Sequence, residues 1–288
     1  MRPCAGTVLD CAGRTLDFST PHIMGVLNIT PDSFSDGGQL FDGSVINTDA
    51  LCARAEAMLA GGAAVLDIGG ESTRPGAAAV NEAEELDRVL GALHILRARF
   101  DAIISVDTST PQVMSEAAAS GAGLINDVRA LQRPGALAAA AATDLPVCLM
   151  HMQGEPDFMQ RNPAYLDVVT EVIEFLEARI ANCMDSGISP DRILLDPGFG
   201  FGKTLPHNFQ LLGGLHRICS MGYPVVAGLS RKSMIAGVLD RAPDERMPAS
   251  IGLAVIAAQL GARLIRVHDV AETYDAVAMV RALEQFNS

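Results

Sequence analysis

AIISVDTSTPQVMSEAAASGAGLINDV, residues Ala102 to Val128, contains the unit from which the rest of the chain can be read. Ala102–Asp107 is a short apolar run that ends on a carboxylate, and Thr110-Pro111 then sets a capping residue before a proline at a first helical position. Pro111–Ala119 has helical spacing, Gly121 follows its last turn, and Gly123–Asp127 is a second apolar run. Runs without polar alternation are buried on both faces, as in a parallel sheet covered by helices.

The same unit recurs on either side. Apolar runs at His22–Asn28, Ala64–Gly69, Pro146–His151, Arg192–Asp196, Pro224–Leu229 and Leu264–His268 complete a set of eight. Helical segments lie between them at Thr48–Leu59, Glu82–Ala98, Pro134–Ala142, Ala164–Ser186 and Ala249–Leu260, with a final helix near Glu272–Phe286. Eight strand-helix units predict an α/β fold, a (β/α)8 TIM barrel forming a single domain over residues 1–288, rather than an open sheet. Thr7–Phe18, with Ala12-Gly13 between two short apolar runs, predicts an N-terminal β-hairpin capping the barrel floor.

Composition narrows the functional classes. Hydrophobic residues make up 49% of the chain and charged residues 19%, which supports a large core and argues against disorder. The net charge of −13 disfavours nucleic acid and anionic membrane as partners, so any anionic ligand must be held by local donors. The start, MRPCAGTVLD, lacks an apolar core segment, and the alanine run Ala136–Ala142 is far too short to span a bilayer. Cys4, Cys11, Cys52, Cys148, Cys183 and Cys219 form no CxxC pair and read as free thiols of a cytoplasmic protein.

Polar residues gather where strands end: Asn28, Asp67, Asp107, Asn126, His151, Asp196, Ser230 and His268 each close or closely follow an apolar run. In a barrel of this kind that rim carries the active site. GVLNITPDSFSDGG (Gly25–Gly38) opens a loop of about 20 residues, longer than an ordinary connection and therefore a candidate functional cover. DIGGESTRPGA (Asp67–Ala77) turns on paired glycines and presents Arg74, which can pair bidentately with a phosphate-type anion. Asp107, Asn126 and Asp196 could bind a metal, act as acid and base, or receive the N–H donors of a flat heterocycle; the spacing does not choose. No HxH or HExxH accompanies them, which makes a transition metal the weakest of the three.

DPGFGFGK (Asp196–Lys203) alternates glycine with phenylalanine, bringing backbone and an aromatic wall close to a ligand; its glycine spacing is not that of a nucleotide-binding P-loop. GLSRKS (Gly228–Ser233) and RVHDV (Arg266–Val270) follow the last two strands, and Arg231-Lys232-Ser233 opens a helix whose free N–H groups favour an anion. Each of these residues alone has an ordinary explanation as a helix start, a core histidine or a solvated charge. Together they offer a basic end (Arg74, Arg231, Lys232, Arg266, His268) and an acidic or amide end (Asp107, Asn126, Asp196), fit for a nitrogen-rich planar ring bearing a phosphate-like group.

These six segments, in this order and spacing, resemble the signatures of the dihydropteroate synthase family from about Ile23 to the final helix, and MHMQGEPDFMQ (Met150–Gln160) is similar to the family's wording. The resemblance implies condensation of 6-hydroxymethyl-7,8-dihydropterin pyrophosphate with p-aminobenzoate. It implies that Asp107, Asn126, Met150, Asp196 and Lys232 hold the pterin, and that Asn28, Arg74, Arg266 and His268 hold the pyrophosphate, with Mg²⁺ on Asn28. Phe34, Thr73, Pro75, Phe201 and Ser233 would receive p-aminobenzoate, and Arg74, Asp107, Asp196, Lys232, Arg266 and His268 would be the catalytic set. It further implies a homodimer and sulfonamide inhibition. The rivals are a methyltetrahydrofolate-dependent methyltransferase, which would not need the NITPDSFSDGG loop, and a catalytically silent pterin-binding barrel, which would have lost Asn28, Arg74, Lys232 or His268.

Overall fold

A computed structural model describes residues 7–30, 40–41, 45–72, 80–154, 159 and 162–286. β1 (Val8–Asp10) and β2 (Thr15–Asp17) form an antiparallel hairpin with Leu9 opposite Leu16. Eight parallel strands follow: β3 (His22–Asn28), β4 (Ala63–Gly69), β5 (Ile103–Asp107), β6 (Leu124–Asp127), β7 (Val147–Met150), β8 (Ile193–Asp196), β9 (Val226–Ala227) and β10 (Leu264–Val267). Their order is β8-β7-β6-β5-β4-β3-β10-β9, and a parallel bridge between Leu195 and Val225 brings the two ends together into a nearly closed barrel.

Around it run α1 (Thr48–Ala60), α2 (Glu82–Arg99), α3 (Pro111–Ala119), α4 (Ala136–Ala142), α5 (Val168–Asp185), α6 (Leu205–Gly213), α7 (Leu215–Cys219), α8 (Ser233–Leu239), α9 (Met247–Gln259) and α10 (Val270–Phe286). None of the described helices is long and apolar enough to cross a membrane. Their starts have local causes. Asn47, Asn81 and Asp167 each accept a backbone N–H of the following turn, and Thr204 and His207 form a reciprocal cap at α6.

The expected elements are present, with shifted ends. α5 begins at Val168 rather than Ala164 because the Asp167 carboxylate takes the Val169 and Thr170 N–H groups. α4 begins after Gly135, whose φ of 85° lies in the left-handed region. Of Pro224–Leu229 only Val226–Ala227 is regular strand, since a proline cannot donate to a ladder. The helices α6 and α7, which follow the DPGFGFGK loop, were not among the expected segments.

Side chains alternate in and out along every strand. The outward set, including Leu66, Ile104, Val147, Leu195 and Ile265, packs beneath the helices. The inward set begins with one apolar residue from each of the eight strands: Met24, Val65, Ile103, Leu124, Cys148, Leu194, Val226 and Leu264. Leu9, Cys11, Leu16 and Phe18 of the hairpin pack against that layer and close the barrel from below, as expected from the sequence. Counting two residues onward along each strand reaches Val26, Asp67, Ser105, Asn126, Met150, Asp196, Gly228 and Arg266. The second layer therefore changes from hydrocarbon to polar groups, and a cavity opens on it.

Candidate active site

A cavity of about 400 Å³ sits at the carboxyl ends of the strands. Its wall contains Asn28, Asp107, Asn126, Met150, Asp196, Phe201, Lys232, Ser233, Arg266 and His268, so ten of the residues singled out in the sequence surround one space. Phe34, Thr73, Arg74 and Pro75 lie outside the described residues.

The separation of basic and acidic ends does not hold for Arg266. Its Nε donates to Asp67 at 2.7 Å and its Nη2 donates to Asp107 at 2.9 Å, so the guanidinium is set among the carboxylates. Closure of the barrel causes this, because β10 lies beside β3 and its inward side chains face those of β4 and β5 across the narrow interior. Asp67 is wholly buried and also accepts from Asn126 Nδ2 at 3.3 Å, which leaves the amide oxygen of Asn126 for the cavity. Sequence reading placed Asp67 on the rim and gave it no role; its position two residues beyond Val65 was the available signal.

Burial pushes the Asp107 carboxyl up; Arg266 opposes that, and Asp67, Asp127 and Glu71 reinforce it. Burial likewise raises Asp196, against the pull of Lys232 and a 2.7 Å hydrogen bond from the Gly198 N–H. Lys232 is brought down to about 8 by burial, with Asp196 opposing. Its Nζ donates to the Phe199 carbonyl and stands 4.8 Å from the centre of the Phe201 ring.

The loop that carries Phe199 and Phe201 is shaped by glycine. Gly198 has φ 68°, and a Cβ there would lie 1.8 Å from the His151 carbonyl oxygen. Behind the loop, Lys203 Nζ meets Gly198 O at 2.9 Å, Phe201 O at 3.1 Å and His151 Nδ1 at 2.9 Å. Burial and the neighbouring Lys203 hold the His151 imidazole down at about 3, so the ring is neutral.

On the opposite wall, His268 Nδ1 is 2.9 Å from Ser230 Oγ, and the His268 carbonyl accepts from Arg54 at 3.0 Å. Arg231, expected at the basic end, does line the cavity, with its guanidinium paired to Asp269. Glu71 also faces the cavity, held by Arg129 at 3.3 Å and Arg133 at 3.6 Å. Among the described residues no group of three His, Cys, Asp or Glu side chains could hold a metal ion. Asn28 and Thr30 bring hard oxygens to the same cavity wall, a donor type suited to an oxygen-seeking cation.

Against known proteins, the sequence profile of the family described as Pterin binding enzyme matches residues 24–268. The chain is 53% identical over 270 residues to the dihydropteroate synthase of Escherichia coli (strain K12), covering 94% of each. It superposes with a TM-score of 0.93 on the Yersinia pestis dihydropteroate synthase solved with a sulfonamide drug complex, at 52% identity over 96% of this chain and 99% of that one. The Xanthomonas albilineans dihydropteroate synthase solved with 4-aminobenzoic acid gives a TM-score of 0.89 at 48% identity, over 97% and 98% of the two chains.

Proposed function

The chain belongs to the dihydropteroate synthase family of pterin binding enzymes, and from that premise we propose how its cavity joins 6-hydroxymethyl-7,8-dihydropterin pyrophosphate to p-aminobenzoate, releasing 7,8-dihydropteroate and pyrophosphate. The observation that carries the reading is the polar layer standing on a hydrocarbon floor: Asp196 and Asn126 are both buried, with Met150 and Phe199 beside them in the same wall. A flat ring entering there loses water on both faces and offers adjacent N–H donors. The Asp196 carboxylate accepts the ring's 2-amino and N3 hydrogens, Asn126 and Asp107 complete the edge, and Lys232 donates to the O4 and N5 side. Each charged hydrogen bond of this kind contributes about 1.5–3 kcal/mol.

Asn28, Arg266 and His268, together with Arg74, receive the pyrophosphate. Asn28 would hold Mg²⁺, which when bound would neutralise part of the leaving group's charge. The fit is that of a substrate-borne ion, because Asn28 is a single amide ligand and Glu71 is already paired with two arginines. Departure of the pyrophosphate breaks the methylene C–O bond with its electron pair, and the electron-rich ring delocalises the cation left on the methylene carbon. The aniline nitrogen then supplies its lone pair to that carbon and releases a proton. Since an aniline is unprotonated at neutral pH, the pocket needs no strong general base. Phe201 and Ser233, with Phe34, Thr73 and Pro75, form the seat for p-aminobenzoate, its carboxylate near Ser233 at the start of α8.

A homodimer and a cytoplasmic location complete the reading. The dimer is supported by α9, MPASIGLAVIAAQ, which carries no charge on any face, and by the adjoining exposed Met279, Leu283 and Phe286 of α10. The location is supported by Cys11, Cys52, Cys148, Cys183 and Cys219, which are all buried free thiols. Pyrophosphate release measured with and without p-aminobenzoate tests the activity: release that depends on both substrates is expected. Pterin binding with no release would favour a silent binding barrel, and methyl transfer from methyltetrahydrofolate would favour the methyltransferase rival.

A further inference from the structure

We infer that Lys203 is a positioning residue for this reaction: its ammonium clasps the Gly198–Gly202 loop from behind and so sets the Phe199 carbonyl against Lys232 and the Phe201 ring beside the arylamine seat. The inference rests on the dihydropteroate synthase reading and assigns part of its machinery to a residue that does not line the cavity.

Lys203 is only 3% exposed, and lysine is seldom buried unless every donor is met. Here three acceptors, Gly198 O, Phe201 O and His151 Nδ1, stand within 3.1 Å of Nζ, one for each N–H of an ammonium. Two of the three are carbonyls of the loop itself. The loop is held elsewhere by neutral groups: Tyr165 OH donates to Gly202 O at 2.8 Å, and Asn208 Oδ1 accepts from Gly200 N at 2.7 Å. Two groups pass from the loop into the site, the Phe199 carbonyl that receives Lys232 Nζ and the Phe201 ring beneath it. A contact path therefore runs from His151 through Lys203 and the loop to Lys232.

Charge gives Lys203 a second effect that a neutral clasp would lack. Burial draws Lys203 well below the usual lysine range and the neighbouring Lys232 adds to this, while Asp196 and the three acceptors around Nζ favour the ammonium; Asp196, Arg266 and Asp107 are the charged groups acting most on Lys232. Loss of the Lys203 cation lets Lys232 keep its proton to higher pH.

The test compares Lys203→Met, which keeps length and apolar bulk, with Tyr165→Phe, which removes a neutral donor from the same loop. Expected for Lys203→Met are a fall of about tenfold or more in kcat/KM for p-aminobenzoate and a clearly smaller rise in pterin Kd by calorimetry, because the Lys232 contact to the ring loosens while Asp196 and Asn126 remain on their strands. The alkaline limb of the pH–rate profile should move up by about half a unit, and Tyr165→Phe should leave it in place. If Lys203→Met does not fold, Lys203→Gln carries the same expectation, since its two N–H groups cannot meet all three acceptors and it has no charge. An unmoved alkaline limb, or pterin affinity falling in step with kcat/KM as a general loosening of the barrel would give, overturns the inference. Absence of p-aminobenzoate-dependent pyrophosphate release from the wild-type enzyme overturns the underlying reading as well.

Discussion

Asp67→Asn changes one atom type in the wholly buried second layer, and its effect can be worked from the contacts. Both donors meet the same oxygen of the carboxylate, Oδ2, Arg266 Nε at 2.7 Å and Asn126 Nδ2 at 3.3 Å, while Oδ1 stands 3.5 Å from Asn126 Nδ2. An amide whose oxygen takes the place of Oδ2 keeps both contacts but removes the negative charge facing Arg266, and it turns an NH₂ towards the Asn126 Nδ2 donor, which is then left competing for one oxygen. Leaving a buried donor unmet costs about 1–3 kcal/mol, and removing one partner of a buried ion pair costs about 3–5 kcal/mol. Arg266 keeps Asp107 at 2.9 Å, which puts the expected loss at the low end, about 2–3 kcal/mol. With an unfolding entropy of about 2.1 cal/mol/K per residue over 288 residues, that loss lowers Tm by roughly 3–5 °C. Arg266 and Asn126 both face the ligand, so kcat/KM should fall by about 10- to 100-fold, each factor of ten corresponding to about 1.4 kcal/mol. Circular dichroism melting and a dihydropteroate-formation assay read the two effects. A variant with wild-type Tm and kcat/KM within about twofold of wild type would falsify the assignment of Asp67 as the residue that orients Arg266 and Asn126.

Lys232 titrates near 8 in the folded protein, below the value of about 10.4 for an unfolded lysine. Between those values the unfolded chain binds more protons, so stability should rise with pH while kcat/KM falls as the ammonium is lost; parallel decline of both would contradict this origin. Asp196→Ala should abolish pterin binding in calorimetry, and unchanged affinity would remove Asp196 from the ring-binding set. Gly198→Ala adds a Cβ that would meet the His151 carbonyl at 1.8 Å, so the loop must move; about a 100-fold loss in kcat/KM is expected, and near-wild-type turnover would show that the loop's position does not matter. Phe18→Ala, in the hairpin, should cost about 3–5 kcal/mol of stability and leave pterin affinity nearly unchanged; an unaltered Tm would exclude the hairpin from the cooperative core.

Strand β3 and helix α3 were legible in the sequence to the residue, because Thr110-Pro111, Gly121 and the apolar runs are local signals. So were the polar strand ends that gather around the cavity. What stayed hidden depends on the ring being closed. Asp67 and Arg266 lie 199 positions apart and meet only because β10 returns beside β3, and no local pattern announces that contact. Arg231 looked like a site cation for the same reason, since Asp269, its partner, comes from the following strand's loop. Lys203 closes a glycine-rich motif in the sequence, but its side chain folds back under that motif, and chain order does not reveal that direction.

The hairpin beneath the barrel has a bearing on kinetics. Because Leu9, Cys11, Leu16 and Phe18 stopper one end, traffic is confined to the other. On the proposed reading the inner berth, bounded by Asp196 and Asn126, would fill first and empty last, and a joined molecule spanning both berths would withdraw in one piece past the outer one. A queue would thus be imposed from the far end of the tube, by Leu9, Cys11, Leu16 and Phe18.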